Sequence, residues 1–171
     1  MKVLHFILGK ADKSRPNGVN QVVAGLAKYC IRQGAEVRVI GKAETASSEG
    51  EVIVQDGFDV VVYSRWSKAL RQAVTEAAAW ADVVHLHGTY AFHNAWVGRI
   101  CENLKTPYVV TLHGGLSLER KRGRGLFRKT VYHRLVQERH LARAALIHAL
   151  TEEEATEAVT FSNPAKLVVI P

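Results

Sequence analysis

Short, unbroken apolar runs alternate with stretches of three-and-four apolar spacing along the whole chain. No other feature limits the fold as much. Val3-Leu4-His5-Phe6-Ile7-Leu8 is the first run, and it reads as a strand buried on both faces. Val19, Val22, Val23, Leu26, Ala27 and Cys30 then recur at helical spacing. Gln33-Gly34 ends that helix, with Gly34 suited to the C-cap, and Val37 to Ile40 is the next strand. Further runs stand at Val60 to Tyr63, Val83 to His87, Tyr108 to Leu112, Ala145 to Leu150 and Leu167 to Ile170, with a weaker one at Glu51 to Val54. Helical patterns fill the gaps at Ser67 to Trp80, Ala91 to Leu104, Leu126 to Arg143 and Glu152 to Val159.

Strand and helix in strict turn predict an α/β fold: an open, mostly parallel, Rossmann-like sheet of about 6–7 strands with helices on both faces, a three-layer αβα arrangement. With 171 residues and 47% hydrophobic content, the chain can bury a core without staples. The same numbers exclude disorder, and no apolar run nears the ~20 residues that span a bilayer. The start, Met1-Lys2-Val3-Leu4, lacks the pattern of a secretory signal. Cys30 and Cys101 sit inside helical patterns with no zinc spacing around them, so free, reduced thiols and a cytoplasmic chain are expected. No linker or repeat divides residues 1–171, so one domain is expected. Its last strand runs out at Pro171 with no helix after it, which suggests a chain that stops at a domain boundary.

The formal net charge is +7, and the excess is concentrated. Arg120, Lys121, Arg122, Arg124, Arg128 and Lys129 fall in one acid-free segment. Such a segment is either a solvated loop or an attractor of phosphate groups on lipid, nucleic acid or a polyanion. Few aromatics interleave with it, which disfavours a stacking platform for single strands.

Open parallel sheets bind ligands outside the carboxyl ends of their strands, so the residues just after each strand are the candidates. After the first strand, Asn17-Gly18 opens a helix, where backbone N–H groups and the helix dipole suit a phosphate. A plain turn with an N-cap would look the same. His85-Leu86-His87-Gly88 puts two histidines on one strand face, His87 at the tip beside a permissive glycine. His113-Gly114-Gly115 repeats the pattern after the next strand. Two adjacent tips ending His-Gly point to one shared crevice, in which histidine can bond a sugar hydroxyl or move a proton. A third metal ligand is not evident near the His-x-His pair, so no metal is expected. Neither G-x-S-x-G nor a pair of carboxylates at a strand tip occurs, which disfavours serine and two-acid hydrolases.

Asn17-Gly18-Val19, Asp82-Val83-Val84-His85-Leu86-His87-Gly88, Thr111-Leu112-His113-Gly114 and Leu167-Val168-Val169-Ile170-Pro171, in that order, resemble the N-terminal domain of retaining glycosyltransferases of the family-4 type, with the GT-B fold. The ordered set is specific, and it spans nearly the whole chain. The resemblance implies two Rossmann-like domains facing a cleft, this one on the acceptor side and a C-terminal donor domain absent from these residues. It implies a catalytic His113 near the transferred sugar, donor phosphates at Asn17 and Gly18, and acceptor contacts at His87, Gly88 and Gly114. Relatives often carry Gly-Gly where this chain has Asn17-Gly18.

The function then expected is transfer of a sugar from a nucleotide-sugar donor to a hydroxyl acceptor on a glycan, lipid or small molecule, with retention. The nucleotide sugar is a substrate, and no cofactor is expected. The donor is shared with the C-terminal domain, the acceptor is a carbohydrate or lipid-linked molecule, and Arg120 to Lys129 offers contact to an anionic membrane surface on the inner face. Nucleic acid is not an expected partner. Two other classes remain open: a stand-alone phospholigand-binding module using Gly18, and a nucleic-acid-binding domain using the cationic segment, which has no recognised motif.

Overall fold

A computed structural model describes residues 1–9, 18–43, 46–55, 57–115, 130–161 and 166–171. The elements, in chain order, are β1 (Lys2–Ile7), α1 (Gly18–Arg32), β2 (Glu36–Lys42), β3 (Glu51–Gln55), β4 (Phe58–Tyr63), α2 (Lys68–Trp80), β5 (Val83–His87), α3 (Phe92–Leu104), β6 (Tyr108–Thr111), α4 (Glu138–Arg143), β7 (Leu146–Ala149), α5 (Glu152–Phe161) and β8 (Leu167–Val169). They form one eight-stranded sheet in the order β3-β4-β2-β1-β5-β6-β7-β8. Every described pairing is parallel except β3 with β4. The strand beyond the expected 6–7 is β3, an antiparallel edge whose Val52 and Val54 face solvent. Lacking a second buried face, it lacks the apolar density that marks the others.

Local sequence accounts for the helix ends. Gly34 takes φ +79°, and the N–H of Ala35 reaches back to the Cys30 carbonyl, closing α1. The Ser67 hydroxyl accepts the Leu70 N–H and starts α2. Lys105 in the left-handed region, followed by Pro107, stops α3. The helix expected over 126–143 is described from Thr130 onward and contains a π turn at His133–Gln137. That extra residue per turn swings Gln137 inward, where its Oε1 accepts the Tyr90 N–H at 2.8 Å. No helix among the described residues is long and apolar enough to cross a membrane.

The two sheet faces differ in chemistry. On one, Leu4, Phe6, Val84, Leu86, Val110 and Leu112 pack under α2, α3, α4 and α5. On the other, Ile7, Val39, Val60 and Val62 pack under Val23, Ala24 and Ala27 of α1. His5 shares that second face with Ile7, and the register His5↔His85, His87↔Thr111, Thr111↔His148 carries a polar row across four strands of it.

Beneath α3, Gly98 admits the His140 ring, which stacks on Tyr108 at an interplanar angle of 7°. The Tyr108 hydroxyl donates to the His140 carbonyl at 2.6 Å. A methyl at Gly98 would lie 2.6 Å from His140 Nδ1. In an open helix Gly→Ala stabilises by about 1 kcal/mol. Here Gly98→Ala is expected to destabilise by about 1–3 kcal/mol through overpacking. The midpoint of urea unfolding reads the sign.

Candidate functional site

The chain runs from β1 outward through β2 and β4 on one side, then returns to β5 beside β1 and proceeds through β6, β7 and β8 on the other. The order therefore reverses between β1 and β5, and their carboxyl ends flank the expected ligand crevice. Helix α1 begins at Gly18 on this edge, because it descends from the segment after β1 to start parallel β2. His87-Gly88 and His113-Gly114 follow the ends of β5 and β6 on the same edge. The three tips singled out by sequence thus share one rim. Asn17 and the cationic residues Arg120, Lys121, Arg122, Arg124, Arg128 and Lys129 lie outside the described residues.

Each tip is held from below. Asn94 of α3 donates to the carbonyls of His87 and Gly88, at 3.0 and 2.9 Å, and the Gly88 N–H donates to the Thr111 carbonyl at 2.8 Å. Gly88 adopts φ +95°, which a side chain would resist. His113 itself takes φ +52°, a conformation unusual outside glycine, and so its ring turns back toward β5. There His113 Nε2 meets His87 Nδ1 at 3.2 Å, and His87 Nε2 meets His5 Nδ1 at 3.1 Å. The next loop is tied in by Glu154 of α5. One carboxylate oxygen accepts the Gly114 N–H, and the other accepts the Leu150 N–H at 2.8 Å.

A second polar row runs alongside. His148 Nε2 lies 2.8 Å from the Ile170 carbonyl, His148 Nδ1 lies 2.9 Å from the Thr111 hydroxyl, and that hydroxyl lies 2.6 Å from His85 Nε2. A carbonyl only accepts. His148 Nε2–H therefore donates to Ile170, and the matching assignment along the row has Thr111 donating to His148 Nδ1 and His85 Nε2–H donating to Thr111.

Burial keeps the imidazoles of His5, His85, His87 and His113 uncharged. It pushes His5 and His113 down to about 4, Glu154 opposing the shift at His113. His85 and His87 are pushed well below the usual value by burial and then by the neighbouring histidines. At neutral pH the cluster is a set of oriented dipoles, each ring with one donor and one acceptor.

His5, His85 and His87 place ligand atoms within 4.8 Å of one another, close enough to raise the question of a metal. Two of these nitrogens already face each other, His5 Nδ1 and His87 Nε2 at 3.1 Å, and His85 Nε2 lies 2.6 Å from the Thr111 hydroxyl. The arrangement suits hydrogen bonding.

Sequence reasoning missed four kinds of contributor. His5 looks like an ordinary strand residue until register sets it beside His85. Thr111 and His148 become visible the same way. Glu154 has a signal in Thr151-x-x-Glu154, the spacing of a capping box, and the Glu154 N–H does donate to the Thr151 hydroxyl. Finally, a cavity of about 290 Å³ at the tips of β1 and β2 is lined by Leu8, Gly9, Lys42, Ala43 and His93. Trp66 stands edge-on to His93 at 4.5 Å and to Trp96 at 4.9 Å, and exposed Phe92 flanks them. A larger trough of about 750 Å³ lies between α2 and the β2–β4 strands, away from this rim, and holds no histidine.

With this geometry in place, comparison with known proteins is informative. Residues 17–171 match the family described as glycosyl transferase 4-like domain. The chain belongs to that family. Its fold is that of GT-B glycosyltransferases. Sucrose-phosphate synthase from Thermosynechococcus elongatus aligns with a TM-score of 0.66 at 15% identity, over 100% of this chain and 48% of that one. An alpha-glucosyltransferase solved with UDP and a 13-mer DNA containing an HMU base aligns at 0.58 and 13% identity, over 99% of this chain and 42% of that one. The glycosyl transferase 4-like chain thus spans about half or less of the length of these solved enzymes. No curated protein matches its sequence.

Proposed function

We propose that this chain is the acceptor-side half of a glycosyltransferase that moves a sugar from a nucleotide-sugar donor to a hydroxyl acceptor with retention. One observation carries the reading: His87 and His113 meet at 3.2 Å across adjacent strand tips, on the rim where α1 also begins. The N-terminus of α1, with Asn17 and Gly18, faces the donor phosphates and needs no metal to do so. His113 contacts the transferred sugar. His87 and Gly88, with Gly114, bound the acceptor side. The wall of Trp66, Phe92 and His93 supplies ring faces of the kind that pack against sugar rings. Lys42, beside His93, adds a positive charge.

A second α/β half completes the donor site in this proposal, and closure of the two halves excludes water from the reacting bond. Arg120 to Lys129 then meets an anionic membrane or lipid-linked acceptor, placing the protein in the cytoplasm at the inner membrane face.

The test uses purified residues 1–171 and a longer protein carrying them, each with a panel of nucleotide sugars. Nucleotide release by the longer protein, and none by the chain alone, is the expected result. Robust sugar transfer by residues 1–171 alone refutes the half-enzyme reading. Micromolar nucleotide binding by the chain, unchanged by the second half, would instead make it a stand-alone phospholigand module.

A further inference from the structure

His5, His87 and His113 form a chain of three imidazoles leading from the buried sheet face to the crevice. A neutral imidazole has one N–H and one lone pair. Each link pairs an Nδ1 with an Nε2, so placing one proton places all three. Either every ring carries Nδ1–H and the donors point toward the crevice, or every ring carries Nε2–H and they point inward.

The buried inner end decides between them. At the inner end, His5 Nε2 is fully buried and has no hydrogen-bond partner among the described residues. The inward arrangement would strand an N–H there, whereas the outward one leaves only a bare lone pair. Sealed, orphaned N–H groups are rarer in proteins than under-used acceptors. At the outer end, His113 Nε2 is engaged by His87, which leaves Nδ1 as the nitrogen on the crevice side of the chain.

We infer that His113 presents a fixed Nδ1–H donor to the crevice, and that His87, backed by His5, is the positioning residue that sets this tautomer. Isolated neutral histidine favours the Nε2–H form, so the three rings hold the less common one. His113 is thereby a hydrogen-bond donor to an oxygen of the bound sugar and not a base that removes a proton. The assignment of that oxygen to a sugar rests on the function proposed above; the tautomer does not.

Long-range ¹H–¹⁵N correlation spectra of the chain, recorded at mildly alkaline pH, distinguish the tautomers ring by ring. Nδ1–H is expected for His5, His87 and His113. Nε2–H is expected for His85 and His148, whose polarity the Ile170 carbonyl imposes, so the second row is an internal control. Nε2–H on His113 overturns the inference. Two variants then test the positioning role. His87→Asn places an amide N–H where Nδ1–H stood and is expected to keep Nδ1–H on His113. His87→Leu removes the donor, and a substantial Nε2–H population is expected on His113. An unchanged His113 signal in His87→Leu removes His87 from the role. If the wild-type pattern appears but the longer protein transfers no sugar, the tautomer stands and the functional reading falls.

Discussion

On the function proposed above, His113→Ala is expected to lower sugar transfer by a longer protein carrying this chain about 10²–10³-fold, the usual effect of deleting a preorganised donor. The fold should persist, because the ring lies on a loop and is only partly buried. His113→Asn is the informative companion. Its amide N–H overlays the imidazole Nδ1–H, and asparagine is among the few side chains at ease in the left-handed region where His113 sits, at φ +52°. It should recover most of the lost turnover. A general base with an ordinary histidine pKa would behave otherwise, since an amide cannot accept the proton and Asn would be as poor as Ala. Steady-state rates for the three proteins, with a thermal melt of each to confirm folding, separate the two roles. The pH profile gives the same answer independently. With its imidazole held at about 4, His113 stays neutral through pH 5.5–8, and its contribution should be flat there.

How much of this was legible beforehand depends on the range of each signal. The β5 strand was readable to the residue because Val83 to His87 is bounded by Asp82 and Gly88. The His-Gly tips were readable because the period of two fixes which side chain ends a strand and which face it takes. Their convergence follows from parallel order, which the strand–helix alternation implies. Register is another matter. His5 and His87 are 82 positions apart, and nothing local says that β5 and not β6 lies beside β1. So the inner half of the imidazole chain could not be read from sequence. The π turn at His133–Gln137 was hidden for a related reason: the partner of its Gln137 side chain, the Tyr90 N–H, is 47 positions away. The Trp66–His93 wall joins the β4–α2 connection to the first turn of α3, which meet because α2 and α3 pack side by side.

A histidine-lined sheet face carries a further consequence, because neutral burial is stable only while the solvent is not acidic. His5 and His140 are pushed by burial from 6.5 down to about 4. Between those values the unfolded chain binds the proton and the folded chain does not. The unfolded state therefore holds more protons, and stability must fall as pH falls. The contribution is complete above about pH 6.5, declines through the interval, and levels off below about pH 4. At 1.36 kcal/mol per pKa unit, each of these two residues accounts for roughly 3 kcal/mol across the whole interval. His85 and His87, shifted in the same direction, add to the slope. Domains of this kind have only about 5–15 kcal/mol in total, so the loss is large enough to unfold the protein near the bottom of the range. Ordinary carboxylates titrate near 4, which makes pH 7.5 to 5 the interval where the histidines act almost alone. Urea unfolding at pH 7.5, 6.0 and 5.0 should show a midpoint that holds down to about 6.5 and then drops steeply. A midpoint that stays constant to pH 5.0 would mean that the buried imidazoles are protonated in the folded state. In that case the uncharged hydrogen-bonded chain leading to His113 could not exist as drawn.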